Sequence, residues 1–187
     1  MSKSNIIYAN YNENTIRVYQ AFNDNIANEA IKLGKFGSEF KMSRMTWIKP
    51  SFLWMMYRSG WGTKVGQNRI LAIDIYRYGF DEIYKNKVYS SFSKEVYNTK
   101  ENWKLALENS EVRCQWDPDR DIYGNAQVRR AIQLGIRGDI LDKYVNDWIF
   151  QIEDITGTVV ELKKSIQQGS FTDDLLPVEI PYFCTDN

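Results

Sequence analysis

The sequence contains no histidine among its 187 residues. This excludes Ser-His-Asp and Cys-His nucleophile pairs, HExxH metalloproteases and every zinc site that needs imidazole. The two cysteines, Cys114 and Cys184, are too few for a four-thiolate zinc site and give no disulfide framework. We therefore expect no metal, and any general acid or base must be Asp, Glu, Lys, Tyr or Cys.

Long apolar runs are also lacking. The densest run, 52–57, is far shorter than the roughly 20 residues that a membrane helix needs. No signal-peptide core follows Met1. We expect a cytoplasmic protein without a membrane partner. Its length and its 43% hydrophobic content predict one folded domain over 1–187, in which 170–187 is an extended C-terminal tail.

The hydrophobic periodicity predicts strands and helices that are mixed without regular βαβ alternation. Strands are predicted over 6–9, 15–22, 69–76, 88–93, 111–116 and 128–136. Helices are predicted from Asn23 or Asp24 to Gly34, over 51–59, from Thr99 to about Glu108, and for three turns from Asp139. A last helix is predicted from a capping box at Thr158 and Glu161 to near Gly169. This order predicts an α+β fold with a mixed or antiparallel central sheet and flanking helices.

A basic and aromatic stretch stands out against a formal net charge of zero. Between residues 41 and 73 there is no acidic residue, but there are six basic ones: Lys41, Arg44, Lys49, Arg58, Lys64 and Arg69. Cations close to a helix N-terminus that starts at Pro50 favour a phosphate site, and Trp47 or its neighbours can stack on a base or a nicotinamide ring. An ordinary core segment with charges at its edge explains the pattern equally well.

Two strands carry polar residues at informative positions. Gln20 falls on the apolar register of its strand, so it is either hydrogen-bonded in the core or lines a pocket. Arg129, Gln133 and Arg137 share one face of another strand, and Gly135 would let a ligand or backbone approach closely. A plain solvent-facing strand is the alternative.

The segment 117–121 holds three aspartates. Oxygen ligands of this kind suit Mg²⁺ or Ca²⁺, but the spacing does not match an EF-hand loop. We favour a turn that ends the preceding strand at Asp117-Pro118-Asp119, with Asp119 or Asp121 paired to Arg120 or Arg113.

Several stretches together resemble the domain-of-unknown-function 4291 (DUF4291) family. They are Ile7-Tyr8-Ala9, Val18-Tyr19-Gln20-Ala21, Arg44 to Trp61, Leu71-Ala72-Ile73, Gln115-Trp116-Asp117-Pro118 and Ile132 to Gly138. The resemblance extends over nearly the whole chain up to about residue 160. The family name itself carries no activity over to this sequence.

A shorter pattern is similar to the opening of ADP-ribosyltransferase folds. It consists of Val18-Tyr19-Gln20-Ala21 and a following helix that ends in Ile31-Lys32-Leu33-Gly34. The resemblance implies an NAD site in which Gln20 takes the place of the usual histidine. It also implies that Tyr57 or Ser59 supports the nicotinamide and that Gln133 or Glu111 polarises the ribose.

The expected function is therefore NAD-dependent ADP-ribosyl transfer to a nucleic acid or protein acceptor. The expected catalytic residues are Gln133, Glu111 and Tyr57. The expected cofactor-binding residues are Tyr19, Gln20, Arg44, Trp47, Lys49, Arg58 and Ser59. The alternative is a non-catalytic module that binds a nucleic acid or another anionic nucleotide through the basic aromatic surface. A small structural protein whose tryptophans are core residues is a third option.

Overall fold

The fold is α+β, and the computed structural model describes residues 5–184. The strands are β1 (Ile7–Ala9), β2 (Thr15–Phe22), β3 (Thr46–Ile48), β4 (Arg69–Tyr76), β5 (Lys87–Tyr89), β6 (Val112–Arg120), β7 (Ala126–Ile136), β8 (Ile149–Asp154) and β9 (Ile180–Tyr182). The helices are α1 (Asp24–Leu33), α2 (Phe52–Ser59), α3 (Arg77–Lys85), α4 (Lys94–Tyr97), α5 (Lys100–Asn109), α6 (Gly138–Lys143) and α7 (Thr156–Gln168). A π-helical turn spans Tyr144–Trp148, and a 3₁₀ turn spans Asp173–Leu175.

The strands form two main sheets and one short pair. The first sheet has the order β2-β4-β8, the second has the order β3-β7-β6-β5, and β1 pairs with β9 in the C-terminal segment. All pairs are antiparallel except β5 with β6. The strand predicted over 69–76 is confirmed as β4, which lies between β2 and β8 and is buried on both faces.

Each face of the first sheet packs against a separate apolar cluster. Val18 and Ile73, which are cross-strand partners, belong to the main core together with Leu134 of the second sheet. The neighbouring pair, Tyr19 and Ala72, lies on the opposite face in a cluster with residues of α2 and α7. Period-two alternation therefore produces an apolar run here, because both faces of the sheet are covered.

Local capping explains where the helices nearest the site begin and end. The Asn23 side chain accepts a hydrogen bond from the Ile26 N–H at the start of α1, and α1 ends at Gly34. At α2, the Ser51 side chain accepts one from the Trp54 N–H, and Gly60 closes the helix in the left-handed conformation. Both predicted helices are confirmed.

The long helix predicted from Asp139 is wrong. Helix α6 ends at Lys143, a π-helical turn follows, and the chain then enters β8. Ile152 pairs with Ile73 of β4, so strand pairing overrides the helical periodicity of this segment.

The predicted strand end at Asp117-Pro118-Asp119 is also wrong. Strand β6 continues to Arg120, and its register against β7 shifts between Pro118 and Arg120. The bulge accommodates a proline that cannot donate a hydrogen bond to the ladder.

The longest helix within residues 5–184 is α7, with 13 residues. None of the helices in this part of the chain combines the length and apolar character that crossing a bilayer requires.

Two helical glycines provide a matched test of the packing between α3 and the π-helical turn. A Cβ atom on Gly79 would lie 2.5 Å from Cγ of Trp148, whereas a Cβ atom on Gly157 would meet nothing within 4 Å. We expect Gly79→Ala to lower the free energy of unfolding by about 1–3 kcal/mol because it overpacks the core. Gly157→Ala should leave the free energy unchanged or raise it by up to about 1 kcal/mol. Urea unfolding of both variants measures this, and equal effects would contradict the packing described here.

Candidate functional site

A cleft opens where the two main sheets meet. The Tyr19 N–H donates to the Lys49 carbonyl oxygen over 2.8 Å, so the edge of β2 is joined to the segment that follows β3. The cleft has a volume of about 670 Å³, larger than the about 460 Å³ of a second cleft beside α6. Its size lies within the usual range for small-molecule sites, roughly 300–1,000 Å³.

Three cations from the basic aromatic stretch line this cleft, as the sequence suggests. Arg44 precedes β3, Lys49 follows it, and Arg58 lies in the last turn of α2. Both arginines are exposed, but Lys49 is only 7% exposed. Burial and, to a smaller extent, the charge of Arg58 lower the pKa of Lys49 to about 8, although the Asp117 carboxylate opposes the shift.

Three polar side chains of the second sheet line the cleft as well. Gln115 of β6 and Gln133 of β7 are direct cross-strand partners, and Asp117 shares their face two residues beyond Gln115. The amide groups donate to opposite oxygens of the carboxylate, Gln115 over 3.0 Å and Gln133 over 2.9 Å. The two amides therefore fix the orientation of the Asp117 carboxylate.

Gln20 is 3% exposed and fully engaged within the protein, although it borders the cleft. Its amide nitrogen donates to the Thr46 hydroxyl over 2.7 Å and to the Trp47 carbonyl over 3.3 Å. Its oxygen accepts from the Tyr144 hydroxyl over 2.8 Å. Burial raises the pKa of Tyr144, so this hydroxyl keeps its proton and remains a donor. Gln20 consequently positions β3 and Trp47 against the first sheet.

The close approach at Gly135 is made by the protein itself. A Cβ atom there would lie 2.7 Å from the Met45 sulfur and 2.9 Å from two carbons of the Trp47 ring. Gly135 and Trp47 are cross-strand partners, so the absent side chain leaves room for the indole over β7. Trp54 also lines the cleft, and its indole N–H has no partner among residues 5–184.

A phosphate at the N-terminus of α2 was expected, but a carboxylate of the protein lies there. The Phe52 N–H donates to Glu179 over 2.7 Å, and Arg129 forms an ion pair with Glu179 over 2.9 Å. Ser51 donates to Asp119, which pairs with the same arginine. Burial raises the pKa of Glu179 to about 7, although Arg129 and the helix N–H both lower it. The expected location of the phosphate at this helix end is therefore wrong.

The same cluster corrects two further interpretations. The ion pair of Asp119 is with Arg129 of β7 and not with the guanidinium of Arg120 or Arg113, although the Arg120 backbone N–H donates to the same carboxylate over 2.9 Å. Arg137 donates to the carbonyl oxygens of Glu108 and Ser110, so neither Arg129 nor Arg137 joins Gln133 in lining the cleft. Across residues 5–184, no three acidic or thiol side chains are grouped so that they could hold a metal ion.

Four expected site residues lie outside the cleft lining. Tyr19 is buried on the opposite face of β2, and the Ser59 hydroxyl donates to a carbonyl within α2. Tyr57 is 42% exposed and stacks on the indole of Trp54. Glu111 accepts hydrogen bonds from two backbone N–H groups at the start of α6, over 3.0 and 3.2 Å. The structure therefore brings together Gln20, Arg44, Trp47, Lys49, Arg58 and Gln133 only.

Asp117 is the residue that the sequence interpretation missed. The alternation of Gln115 and Asp117 already places both side chains on one strand face, but ending the strand at Asp117 concealed the pairing with β7. Glu179 had no local signal, because it lies 127 residues beyond the backbone group that it caps.

The contacts of Gln20 predict a stability effect. Gln20→Leu leaves the buried Tyr144 hydroxyl without its acceptor, so we expect the free energy of unfolding to fall by about 1–3 kcal/mol. In the background of Tyr144→Phe, which removes that hydroxyl, the same change should have a smaller effect. Denaturant unfolding of the four proteins in this cycle measures the coupling, and strictly additive effects would contradict the hydrogen bond.

The model of the family described as "Domain of unknown function (DUF4291)" matches residues 6–182, which include all the cleft residues and every strand named above. No curated protein matches the chain. The match confirms the resemblance indicated by the sequence stretches, and its description assigns no activity. The chain belongs to the DUF4291 family.

Proposed function

We propose that the cleft between the sheets binds NAD and that the protein transfers ADP-ribose from it to an acceptor. The observation that carries this proposal is the convergence of Arg44, Lys49 and Arg58 on one concave site. Guanidinium and ammonium groups at the wall of a cleft are suited to a pyrophosphate, because charge-assisted hydrogen bonds to phosphate oxygens are strong.

The aromatic residues supply the second part of the ligand site. Trp47 and Trp54 both line the cleft, and an indole can pack against the planar ring of an adenine or a nicotinamide. Gln20 supports the site by holding Trp47 and Thr46 in place.

Asp117 is the group that we assign to the chemical step. As nicotinamide leaves, positive charge develops on the ribose, and a carboxylate already oriented towards that position lowers the barrier electrostatically. Gln133, which the resemblance placed in this role, acts through its hydrogen bond to Asp117. Glu111, the other expected group, stays at the start of α6 and has no part in the proposal.

A nucleotide-binding module without catalysis is the second candidate. It is favoured because Glu111, the glutamate that the resemblance assigns to the ribose, is not among the residues that line the cleft. Convergence of the cations in a concave site favours a small anionic ligand over an extended nucleic acid, whose phosphates need cations spread along a surface.

Two cleft variants and one surface variant separate the candidates. We expect Arg58→Gln to weaken NAD binding about tenfold or more, because it removes a charge-assisted contact. Asp117→Asn should bind NAD and release nicotinamide about a hundredfold more slowly. Lys104→Gln, on the exposed face of α5, should resemble the unmodified protein in both assays.

Titration calorimetry measures the binding, and chromatographic detection of nicotinamide measures the reaction. If the unmodified protein binds NAD but releases no nicotinamide when protein and RNA acceptors are both supplied, the enzyme is excluded and the non-catalytic module is favoured. Equal NAD binding by Arg58→Gln and Lys104→Gln would contradict the assignment of the cleft.

A further inference from the structure

Lys49 is a buried amine with few partners. Its Nζ atom donates to the Trp47 carbonyl oxygen over 3.3 Å, and no other hydrogen bond of this ammonium occurs within residues 5–184. It takes part in none of the ion pairs formed in this part of the chain. Lysines that are this deeply buried are normally paired with a carboxylate. Two of its three donors are therefore left for a ligand in the cleft that it lines.

The charges around Lys49 favour its neutral form. Arg58 of α2 and Arg44 before β3 line the same cleft, so two cations share its surroundings. Asp117 of β6 is the acidic group that faces it, and that carboxylate already accepts from Gln115 and Gln133. Burial and Arg58 lower the pKa of Lys49 to about 8, and Asp117 counteracts them only in part. Desolvation and a neighbouring cation are the two conditions that activate a lysine as a nucleophile.

We propose that Lys49 is a reactive amine that condenses with the carbonyl group of a phosphate-bearing aldehyde. The neutral Nζ attacks the carbonyl carbon, and proton transfer gives a carbinolamine. This intermediate loses water and leaves an imine, so both nitrogen hydrogens and the carbonyl oxygen depart as one water molecule. The reaction needs no oxidant or reductant.

The remaining cleft residues fit the two ends of such a substrate. Arg44 and Arg58 provide the cations for its phosphate. The Asp117 carboxylate is placed to stabilise the positive charge of the protonated imine. The inference goes beyond ADP-ribosyl transfer, because it concerns the Lys49 amine of protein without bound NAD and does not depend on NAD being a ligand of the protein.

Pyridoxal 5′-phosphate is the probe, because it combines an aldehyde with a phosphate. The protein is treated with the probe at pH 7, reduced with borohydride, digested and analysed by mass spectrometry. A lysine with a pKa near 8 has a neutral fraction roughly a hundredfold larger than an ordinary lysine, so label on Lys49 should exceed label on Lys104 by about tenfold or more. Inorganic phosphate should protect Lys49, and pyridoxal without its phosphate should label it more slowly.

The pH dependence and two variants complete the test. The labelling rate of Lys49 should reach half of its maximum near pH 8, well below the pH at which an ordinary lysine does so. Arg58→Gln should slow the labelling of Lys49 by pyridoxal 5′-phosphate, and Lys49→Arg should abolish the label at this position while keeping a cation there. Circular dichroism checks that both variants are folded.

Equal labelling of Lys49 and Lys104 would overturn the proposal. It would also be overturned if pyridoxal labelled Lys49 as fast as pyridoxal 5′-phosphate does and inorganic phosphate gave no protection. Failure of NAD to bind would leave these expected results unchanged. Conversely, NAD turnover without preferential labelling of Lys49 would overturn the reactive amine alone.

Discussion

One backbone hydrogen bond, from the Tyr19 N–H to the Lys49 carbonyl oxygen, joins the edges of the two main sheets. Around it, the Gln20 side chain bonds to Thr46 and to the Trp47 carbonyl, which ties β2 to β3 at a second point. The junction brings a strand from each sheet together and leaves a cleft beside them. Lys49, whose backbone carbonyl accepts this hydrogen bond between the sheets, is also the residue whose buried side-chain amine lines the cleft.

The elements around the junction are held by polar contacts that are distant in sequence. Helix α2, which carries Trp54 and Arg58, is anchored at its N-terminus by Glu179 of the C-terminal segment. Glu179 is in turn paired with Arg129 of β7, the strand that bears Gln133. Removing one member of such a buried cluster leaves the others unpaired, so the position of α2 depends on all of them.

Local patterns in the sequence predicted much of the fold and part of the site. The caps at Asn23 and Ser51 and the apolar run of β4 depend on neighbouring residues, and these elements are confirmed. The end of α6 and the extension of β6 depend on pairing with strands elsewhere in the chain, which periodicity does not show.

The same contrast between local and long-range contacts applies to the residues of the cleft. Arg44, Lys49 and Arg58 of the acid-free stretch line one cleft, and they lie close together in sequence. The contribution of Asp117 comes from the register between β6 and β7, and the anchoring of α2 comes from a residue near the C-terminus. Neither is visible in any short window of the sequence.

The junction between the sheets keeps a buried, weakly partnered cation, Lys49, at the expense of stability. Because the pKa of Lys49 is lower in the folded protein than in the unfolded chain, folding is penalised wherever the amine is protonated, fully below about pH 8 and progressively less towards pH 10.5. Denaturant unfolding of Lys49→Met and the unmodified protein from pH 7 to pH 10 tests this directly. We expect the variant to be more stable than the unmodified protein by about 1–3 kcal/mol at pH 7, and we expect this difference to shrink as the pH rises. A variant that is less stable at pH 7, or a difference that does not change with pH, would contradict it.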